Sequence, residues 1–296
     1  MELDPHRAPL YEAVIAHASK GAVSFHVPGH KSAKGAAGAG SDTLSGVMSI
    51  DFTEIAGLDD LHHPQGAIME AQQLAAQCFG ADATFFLVGG STVGNMAMIL
   101  SVCEPGELLL VQRNVHKSVI HGLMLAGARA VFLPPRRDTQ TVQLVGVEPE
   151  AVSKALDLYP EAKGILVSNP NYYGLGMELK QLAELAHRHD KPLLVDEAHG
   201  AHYGFHPLLP ASAISCGADV VVQSTHKMLS AMTMGAMLHV KGNRVEQGLL
   251  RQRLVMLQSS SPSYPIMASL DLSRMQMHTA GRESIQRGLE AVNFFL

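Results

Sequence analysis

The 296-residue sequence has no apolar run long enough to span a membrane. Its first five residues contain neither the basic region nor the apolar region of a secretory signal. Cysteine is scarce: Cys78, Cys103 and Cys216 are widely spaced and odd in number. This usage argues against a disulfide framework or a cysteine zinc site, and it predicts reduced cysteines in a cytoplasmic protein.

The sequence also lacks a strong excess of charge of either sign. Its formal net charge is −5 and its isoelectric point is near 6.3, so electrostatics give no reason to expect nucleic acid or an anionic membrane as a partner. Charged residues make up 17% and hydrophobic residues 47%, which is typical of a soluble globular enzyme. The length allows one large domain or two smaller ones.

From about residue 66, short apolar segments alternate with helical patterns. The predicted strands are 84–88, 108–112, 130–133, 164–168, 192–196, 220–223 and 235–239. The predicted helices are 66–79, 93–102, 117–126, 148–158 and 179–189. Near-continuous apolar strands that alternate with helices predict an α/β fold, in which a mixed, mostly parallel sheet carries helices on both faces.

The two ends of the chain differ from this pattern. A helix is predicted over 9–19 and a loop over the Gly/Ala/Ser-rich stretch 32–46, so residues 1–55 are expected to form an N-terminal arm before a large domain, 56–296. After residue 243 the pattern is helical, with a break at 259–265. The last four residues are apolar and contain no helix-stop signal, so we expect a chain cut inside a helix.

Two strand ends carry the residues that point to chemistry. Asp196 ends the predicted strand 192–196, and Lys227 follows 31 residues later, just after the strand 220–223. Open α/β sheets place their ligands at the carboxyl ends of their strands. A lysine there can form a Schiff base with pyridoxal phosphate, and a carboxylate can pair with the pyridine nitrogen of the same cofactor.

Two further segments fit the same cofactor. Residues 89–95, Gly-Gly-Ser-Thr-Val-Gly-Asn, lie between a strand and a helix, where glycine allows close approach and free N–H groups can hold a phosphate. An ordinary helix-capping turn explains that segment equally well, and it has neither a dinucleotide fingerprint nor a P-loop. His116 follows the next strand, where its ring could stack on a flat cofactor or simply cap the helix.

A metal site is the rival interpretation of the aspartate block. Asp196, His199 and His202 are legitimate ligands, but nearby Gly200 and Gly204 make the required helical spacing doubtful. No second His/Asp cluster follows at a supporting interval, so we expect no metal.

Four blocks together resemble a known family. They are FHVPGHK at 25–31, SNPNYYG at 168–174, DEAHG at 196–200 and QSTHK at 223–227. They look like the ornithine/lysine/arginine decarboxylases, which are pyridoxal-phosphate enzymes with the fold of aspartate aminotransferase. The likeness covers essentially the whole chain. It implies the large domain of fold type I and decarboxylation of arginine, lysine or ornithine, and we expect the family's smaller C-terminal domain to be absent from this chain.

The resemblance also implies roles for particular residues. Lys227 would form the Schiff base, Asp196 would hold the pyridinium nitrogen, His116 would stack on the ring, and Ala198 would pack against the other ring face. His199 is a candidate acid or base, as is His30. The residues implied to contact the phosphate are Ser91, Thr92, Ser224 and His226. Segment 260–264 resembles a loop that reaches a neighbouring subunit's phosphate, which implies a homodimer or a larger homo-oligomer.

Two other functions remain open. An aminotransferase or an acyl-CoA-condensing synthase of the same fold also uses an Asp-x-Ala-His-like block and a later lysine. Alternatively, the chain binds the cofactor or a partner subunit without turnover, an interpretation suggested by its abrupt end.

Overall fold

The computed structural model describes residues 3–35, 41–140 and 142–295. The strands in this part of the chain are β1 (Ala83–Leu87), β2 (Leu108–Gln112), β3 (Arg129–Leu133), β4 (Ile165–Ser168), β5 (Leu193–Asp196), β6 (Val220–Gln223) and β7 (Ala236–Val240). The helices are α1 (Pro9–Ser19), α2 (Ser41–Met48), α3 (Ala67–Phe79), α4 (Gly90–Val102), α5 (Lys117–Ala126), α6 (Pro149–Leu158), α7 (Leu179–Arg188), α8 (Thr225–Met228), α9 (Gln247–Leu257) and α10 (Tyr264–Phe295). Among the helices described, none combines the length and the apolar character needed to cross a membrane.

All seven strands form one sheet, in the order β1-β7-β6-β5-β4-β2-β3. Strand β7 is antiparallel to both of its neighbours, and every other pair is parallel. The strands other than β7 therefore point their carboxyl ends toward one edge of the sheet. The segments that follow β1, β2, β4, β5 and β6 meet at this edge, where open α/β sheets bind their ligands.

Alternate residues of each strand enter separate cores on the two faces of the sheet. On one face, Leu109 and Val111 of β2 pack in a cluster with residues of α4, α5 and α9. On the other face, Leu108 and Leu110 pack with residues of α6 and α7. Because both faces are covered, β2 has no polar face, which explains its continuous Leu-Leu-Leu-Val sequence.

Helix α4 lies unusually close to the sheet because of Gly94. A Cβ atom at this position would lie 2.4 Å from Cγ2 of Val222 in β6 and 3.0 Å from Cδ1 of Leu87 in β1. Only a residue without a side chain permits this approach. This contact places the first turn of α4 at the carboxyl edge of the sheet, near the ends of β1 and β6.

A third core joins the N-terminal segment to the rest of the chain. Leu10 and Val14 of α1 pack with Tyr264, Met267 and Leu270 of α10. Beside them, the fully buried Arg274 side chain donates to Asp271 Oδ1 at 2.5 Å. It also donates to the backbone oxygens of Pro5 and Arg7, which precede α1. Asp271 Oδ2 in turn accepts from the Leu10 N–H at 2.9 Å.

The predicted architecture is confirmed, and each predicted strand lies within one residue of its expected ends. The loop predicted over 32–46 is wrong in its second part, because Ser41–Met48 is a helix. Residues 36–40 of that stretch lie outside the described residues, as does Leu296 at the end of the helix expected over 264–296. The Gly/Ala composition hid the i, i+3, i+4 spacing of Leu44, Val47 and Met48, which is a helical spacing.

Replacing Arg274 by methionine should lower the free energy of unfolding by about 3 to 5 kcal/mol, because the buried Asp271 carboxylate would lose its only cation among the described residues. Urea denaturation measures this change. Arg287→Met, on the exposed part of the same helix, is the control and should change stability by about 0.5 kcal/mol or less. Equal stability of the two variants would contradict the importance assigned to this ion pair.

Candidate active site

The carboxyl edge of the sheet contains a cavity of about 580 Å³. Its lining comes from segments that follow six different strands, β1 to β6. Six residues proposed from the sequence line it: Ser91, His116, Asp196, Ala198, His199 and Lys227. The fold therefore assembles most of the predicted site, although the first and last of these residues are 136 positions apart in the chain (227 − 91).

Asp196 lies at the base of this cavity, at the end of β5, and is only 5% exposed. Its Oδ2 accepts a hydrogen bond from Asn95 Nδ2 at 2.8 Å, and its Oδ1 accepts one from the Ala198 N–H at 3.2 Å. Both donors are neutral. No lysine, arginine or histidine of the described residues lies within ion-pair distance of this carboxylate.

The electrostatic consequence is a raised pKa for Asp196. Burial raises this pKa, and the hydrogen bonds from Asn95 and Ala198 and the more distant charge of Lys227 offset the effect only in part. A cation that bonds directly to the carboxylate would favour its ionised form and lower the pKa. The base of the cavity is therefore suited to a cationic N–H group.

Lys227 enters the cavity from α8, the single turn that follows β6. Its Nζ lies 3.3 Å from Nε2 of His199, and the Lys227 side chain is exposed. Burial, and then the positive charge of Lys227, lower the pKa of His199 below its ordinary value. At neutral pH the imidazole is therefore uncharged and can accept a hydrogen bond from the lysine.

The first turn of α4 forms another wall of the site. The helix begins at Gly90, three residues earlier than predicted, so Ser91 and Thr92 both lie in its first turn. Gly90 has a φ of +72°, a conformation that favours glycine. Ser224 Oγ donates to Ser91 Oγ at 2.7 Å, which places two hydroxyls beside the free N–H groups of the helix. This arrangement can hold an anion.

His116 caps helix α5 and is also connected to Asp196. Its Nδ1 accepts from the Ser118 N–H at 3.2 Å and lies 2.8 Å from Ser118 Oγ. Asn95 Nδ2 donates to that same hydroxyl at 2.9 Å. Because Nδ1 is an acceptor here, the ring proton is placed on Nε2. Asn95 thus joins the buried carboxylate to the residue that holds the imidazole.

Four sequence candidates lie apart from the cavity lining: Ser224, Thr92, His226 and His30. Ser224 is buried and bonds Ser91 as described above. Thr92 is half-buried in the first turn of α4, and His226 places Nδ1 3.0 Å from the Gly235 carbonyl oxygen. His30 Nε2 lies 3.1 Å from Asp51 Oδ2, which pairs it with the N-terminal segment. A role for His30 in acid–base chemistry therefore has no support in the arrangement of the described residues.

Sequence reasoning missed Asn95 and Ser118, which orient Asp196 and His116. Asn95 is 1% exposed on a helix whose other buried residues are all non-polar, and a lone amide among them is the signal that could have identified it. Tyr172 was also missed as a site residue, although its block was noted. Its ring packs edge-on to His199 at 5.4 Å between centroids, and it lines the mouth of the cavity.

The structure does not arrange the aspartate block, Asp196, His199 and His202, as a metal site. Among residues 3–35, 41–140 and 142–295, no three histidine, cysteine or acidic side chains lie together as metal ligands would. The Asp196 oxygens accept from an amide and a backbone N–H, as described above. The cavity instead combines one amine, one buried carboxylate and one anion-binding helix end.

Comparison with known proteins agrees with this arrangement. A 51% identical relative is the uncharacterized protein YaaO of Bacillus subtilis, matched over 90% of this chain and 56% of that protein. An arginine decarboxylase of Halalkalibacterium halodurans is 45% identical, over 94% of this chain and 57% of the relative. The chain thus spans somewhat more than half the length of these relatives.

The fold agrees as well. The structure of lysine decarboxylase A from Pseudomonas aeruginosa superposes with a TM-score of 0.82 at 26% identity, covering 96% of this chain and 42% of that one. The architecture is that of the large domain of fold-type-I pyridoxal-phosphate enzymes. The sequence model described as "Orn/Lys/Arg decarboxylase, major domain" matches residues 8–295, so the chain belongs to the Orn/Lys/Arg decarboxylase family.

Proposed function

We propose that this chain binds pyridoxal phosphate and provides the cofactor site of a decarboxylase that acts on a basic amino acid. The observation that carries the proposal is the position of Asp196 and Lys227 at one cavity, at the ends of two adjacent parallel strands. The match to the decarboxylase family and the similarity of the fold to a lysine decarboxylase also support the proposal. The proposal includes arginine as the preferred substrate.

The residues of the site fit each part of the cofactor. The buried Asp196 carboxylate, which has only neutral donors, matches a protonated pyridine nitrogen. The hydroxyl of Ser91, in the first turn of α4, and that of Ser224, which bonds it, match the phosphate. His116 and Ala198 line the space where the flat ring would lie, and Lys227 Nζ is the amine that would hold the aldehyde carbon.

When bound, pyridoxal phosphate supplies an electron sink for the electron pair left as the carboxylate departs as carbon dioxide. The chain's own residues control charge and protons around it. Asp196 would keep the proton on the ring nitrogen, because a neighbouring cation favours the ionised form that burial opposes. His199, neutral and 3.3 Å from Lys227 Nζ, is placed to accept a hydrogen bond from that amine and is the candidate acid or base of this site.

Arginine is favoured by the relatives rather than by the cavity. The 45% identical relative is an arginine decarboxylase, whereas a lysine decarboxylase, LdcA of Pseudomonas aeruginosa, is 31% identical. Among the described residues that line the cavity, Asp196 is the only acidic one, and it lies at the base. The distal cation of the substrate therefore has no carboxylate partner in this lining.

The homodimer implied by the resemblance stays a prediction. Ser260 and Ser261, in the segment expected to reach a neighbouring subunit, are exposed. The neighbouring Ser259 carbonyl oxygen accepts from His62 Nε2 at 2.8 Å, which fixes the base of this segment. The segment is therefore held in place and accessible to a second copy of the chain.

The direct test of activity is release of labelled carbon dioxide from carboxyl-labelled arginine, lysine and ornithine, with cofactor-loaded protein. We expect release from arginine in excess of the other two. Keto-acid formation without carbon dioxide would indicate an aminotransferase, and amino-acid-dependent acyl transfer from acyl-CoA would indicate a condensing synthase. Cofactor binding without any product would identify a binding chain without turnover. Each of these three outcomes contradicts the decarboxylase proposal.

Replacing Lys227 by alanine should abolish covalent retention of the cofactor after borohydride reduction, because Lys227 is the only lysine that lines the cavity within the described residues. Mass spectrometry of proteolytic peptides locates the modified lysine. Lys154→Ala, an exposed position on α6, is the matched control and should retain the label on Lys227. Label at any other lysine in the parent chain would refute the assignment.

A further inference from the structure

A row of four buried polar side chains crosses the sheet close to the candidate site. It consists of Thr84 on β1, His239 on β7, Gln223 at the end of β6 and Glu197 just after β5. Glu197 and His239 are fully buried, and none of the four lines the cavity. Buried polar groups in an apolar sheet cost stability unless they are bonded, so this row calls for an explanation.

The row is a continuous chain of hydrogen bonds. Gln223 Nε2 donates to Glu197 Oε2 at 2.7 Å, and Gln223 Oε1 lies 3.1 Å from His239 Nε2. His239 Nδ1 lies 2.8 Å from Thr84 Oγ1. Burial lowers the pKa of His239 to about 3, so this ring is neutral and carries a single proton. Because Gln223 Nε2 donates to Glu197, Gln223 Oε1 faces His239, so the ring proton lies on Nε2 and the Thr84 hydroxyl donates to Nδ1.

Glu197 ties together the two strand ends that carry the site. It directly follows Asp196, while Gln223 stands four residues before Lys227. The backbone pairing of β5 with β6 ends at Asp196 and Val222, followed by one hydrogen bond from Glu197 N–H to the Val222 oxygen at 2.9 Å. Beyond that hydrogen bond, the side-chain bond between Glu197 and Gln223 joins the ends of β5 and β6.

Contacts with neighbouring residues fix the position of the Glu197 side chain. Its Oε1 accepts from the Ala213 N–H at 2.8 Å, which attaches the segment leading into β6. A Cβ atom on Gly200 would lie 2.6 Å from Cγ of Glu197, so a glycine is needed where the chain turns back over this side chain. Both carboxylate oxygens are thus occupied by donors from the β6 side.

We propose that Glu197 is a positioning residue, which sets the separation of Asp196 and Lys227 by bonding Gln223 across the ends of β5 and β6. This inference rests on the proposed function, because the two positioned groups act on the cofactor. Glu197 itself touches neither cofactor nor substrate. Loss of the Glu197–Gln223 bond lets the ends of β5 and β6 separate. The Asp196 carboxylate and the Lys227 amine can then no longer contact the same cofactor molecule.

The test compares cofactor affinity in three variants, measured by titration with pyridoxal phosphate at a temperature where every variant is folded. Glu197→Leu removes the acceptor and should weaken affinity by about tenfold, equivalent to about 1.4 kcal/mol. Glu197→Gln should restore near-parental affinity. Its amide can donate to Gln223 Oε1 once that side chain turns over, while its own oxygen still accepts from Ala213.

Asp219→Asn is the matched control. This carboxylate is 2% exposed and ties the opposite ends of the same strands, because Asp219, just before β6, accepts from the Leu193 N–H of β5 at 2.8 Å. The Asp219→Asn substitution should lower the melting temperature and leave cofactor affinity unchanged. If Glu197→Leu does not fold, Glu197→Asp takes its place, since the shorter side chain withdraws the acceptor from Gln223 and should also weaken affinity.

Parental affinity in folded Glu197→Leu, or in Glu197→Asp as its replacement, would overturn the inference. So would an equal loss of affinity in Asp219→Asn, since the effect would then be general destabilisation. These outcomes are separate from failure of the proposed function. In that case the parent chain itself would not bind pyridoxal phosphate, or would not attach it to Lys227.

Discussion

The burial of the Asp196 carboxylate is the constraint on which the rest of the site depends. The side chain is held by an amide and a backbone N–H, two neutral donors that do not match its charge. Its pKa is raised because the surrounding core favours the uncharged form. A buried group with this imbalance is a common feature of functional sites. The missing charge is what a protonated ring nitrogen brings, so the imbalance favours cofactor binding.

The order of strands in the sheet converts this local feature into a site. Asp196 and Lys227 lie at the ends of adjacent strands, and α4 reaches them from β1 because Gly94 allows it to cross β6 closely. Asn95, one residue later on the same helix, then donates to Asp196 and to the serine that orients His116. The helix that offers its first turn to an anion thus also supports the groups at the opposite end of a flat ligand.

Much of this could be predicted from the sequence, for a physical reason. Strands such as β2, buried on both faces, are continuous apolar runs, and the residues at their carboxyl ends must share an edge. This reasoning led to Asp196, Lys227 and His116. It failed where a residue's role depends on a distant partner. Asn95, for instance, is an isolated amide in the sequence until the fold brings it to Asp196. In the same way, the pairing of His30 with Asp51 becomes visible only in the fold, and so does the bond between Glu197 and Gln223.

We infer that Asp196 carries its negative charge against the ring nitrogen of bound pyridoxal phosphate. Nuclear magnetic resonance of the cofactor, labelled with ¹⁵N in its ring and bound to this chain, measures the protonation of that nitrogen directly. We expect a protonated nitrogen at neutral pH in the parent chain and an unprotonated one in Asp196→Asn. An unprotonated nitrogen in the parent, or the same resonance in both proteins, would contradict it.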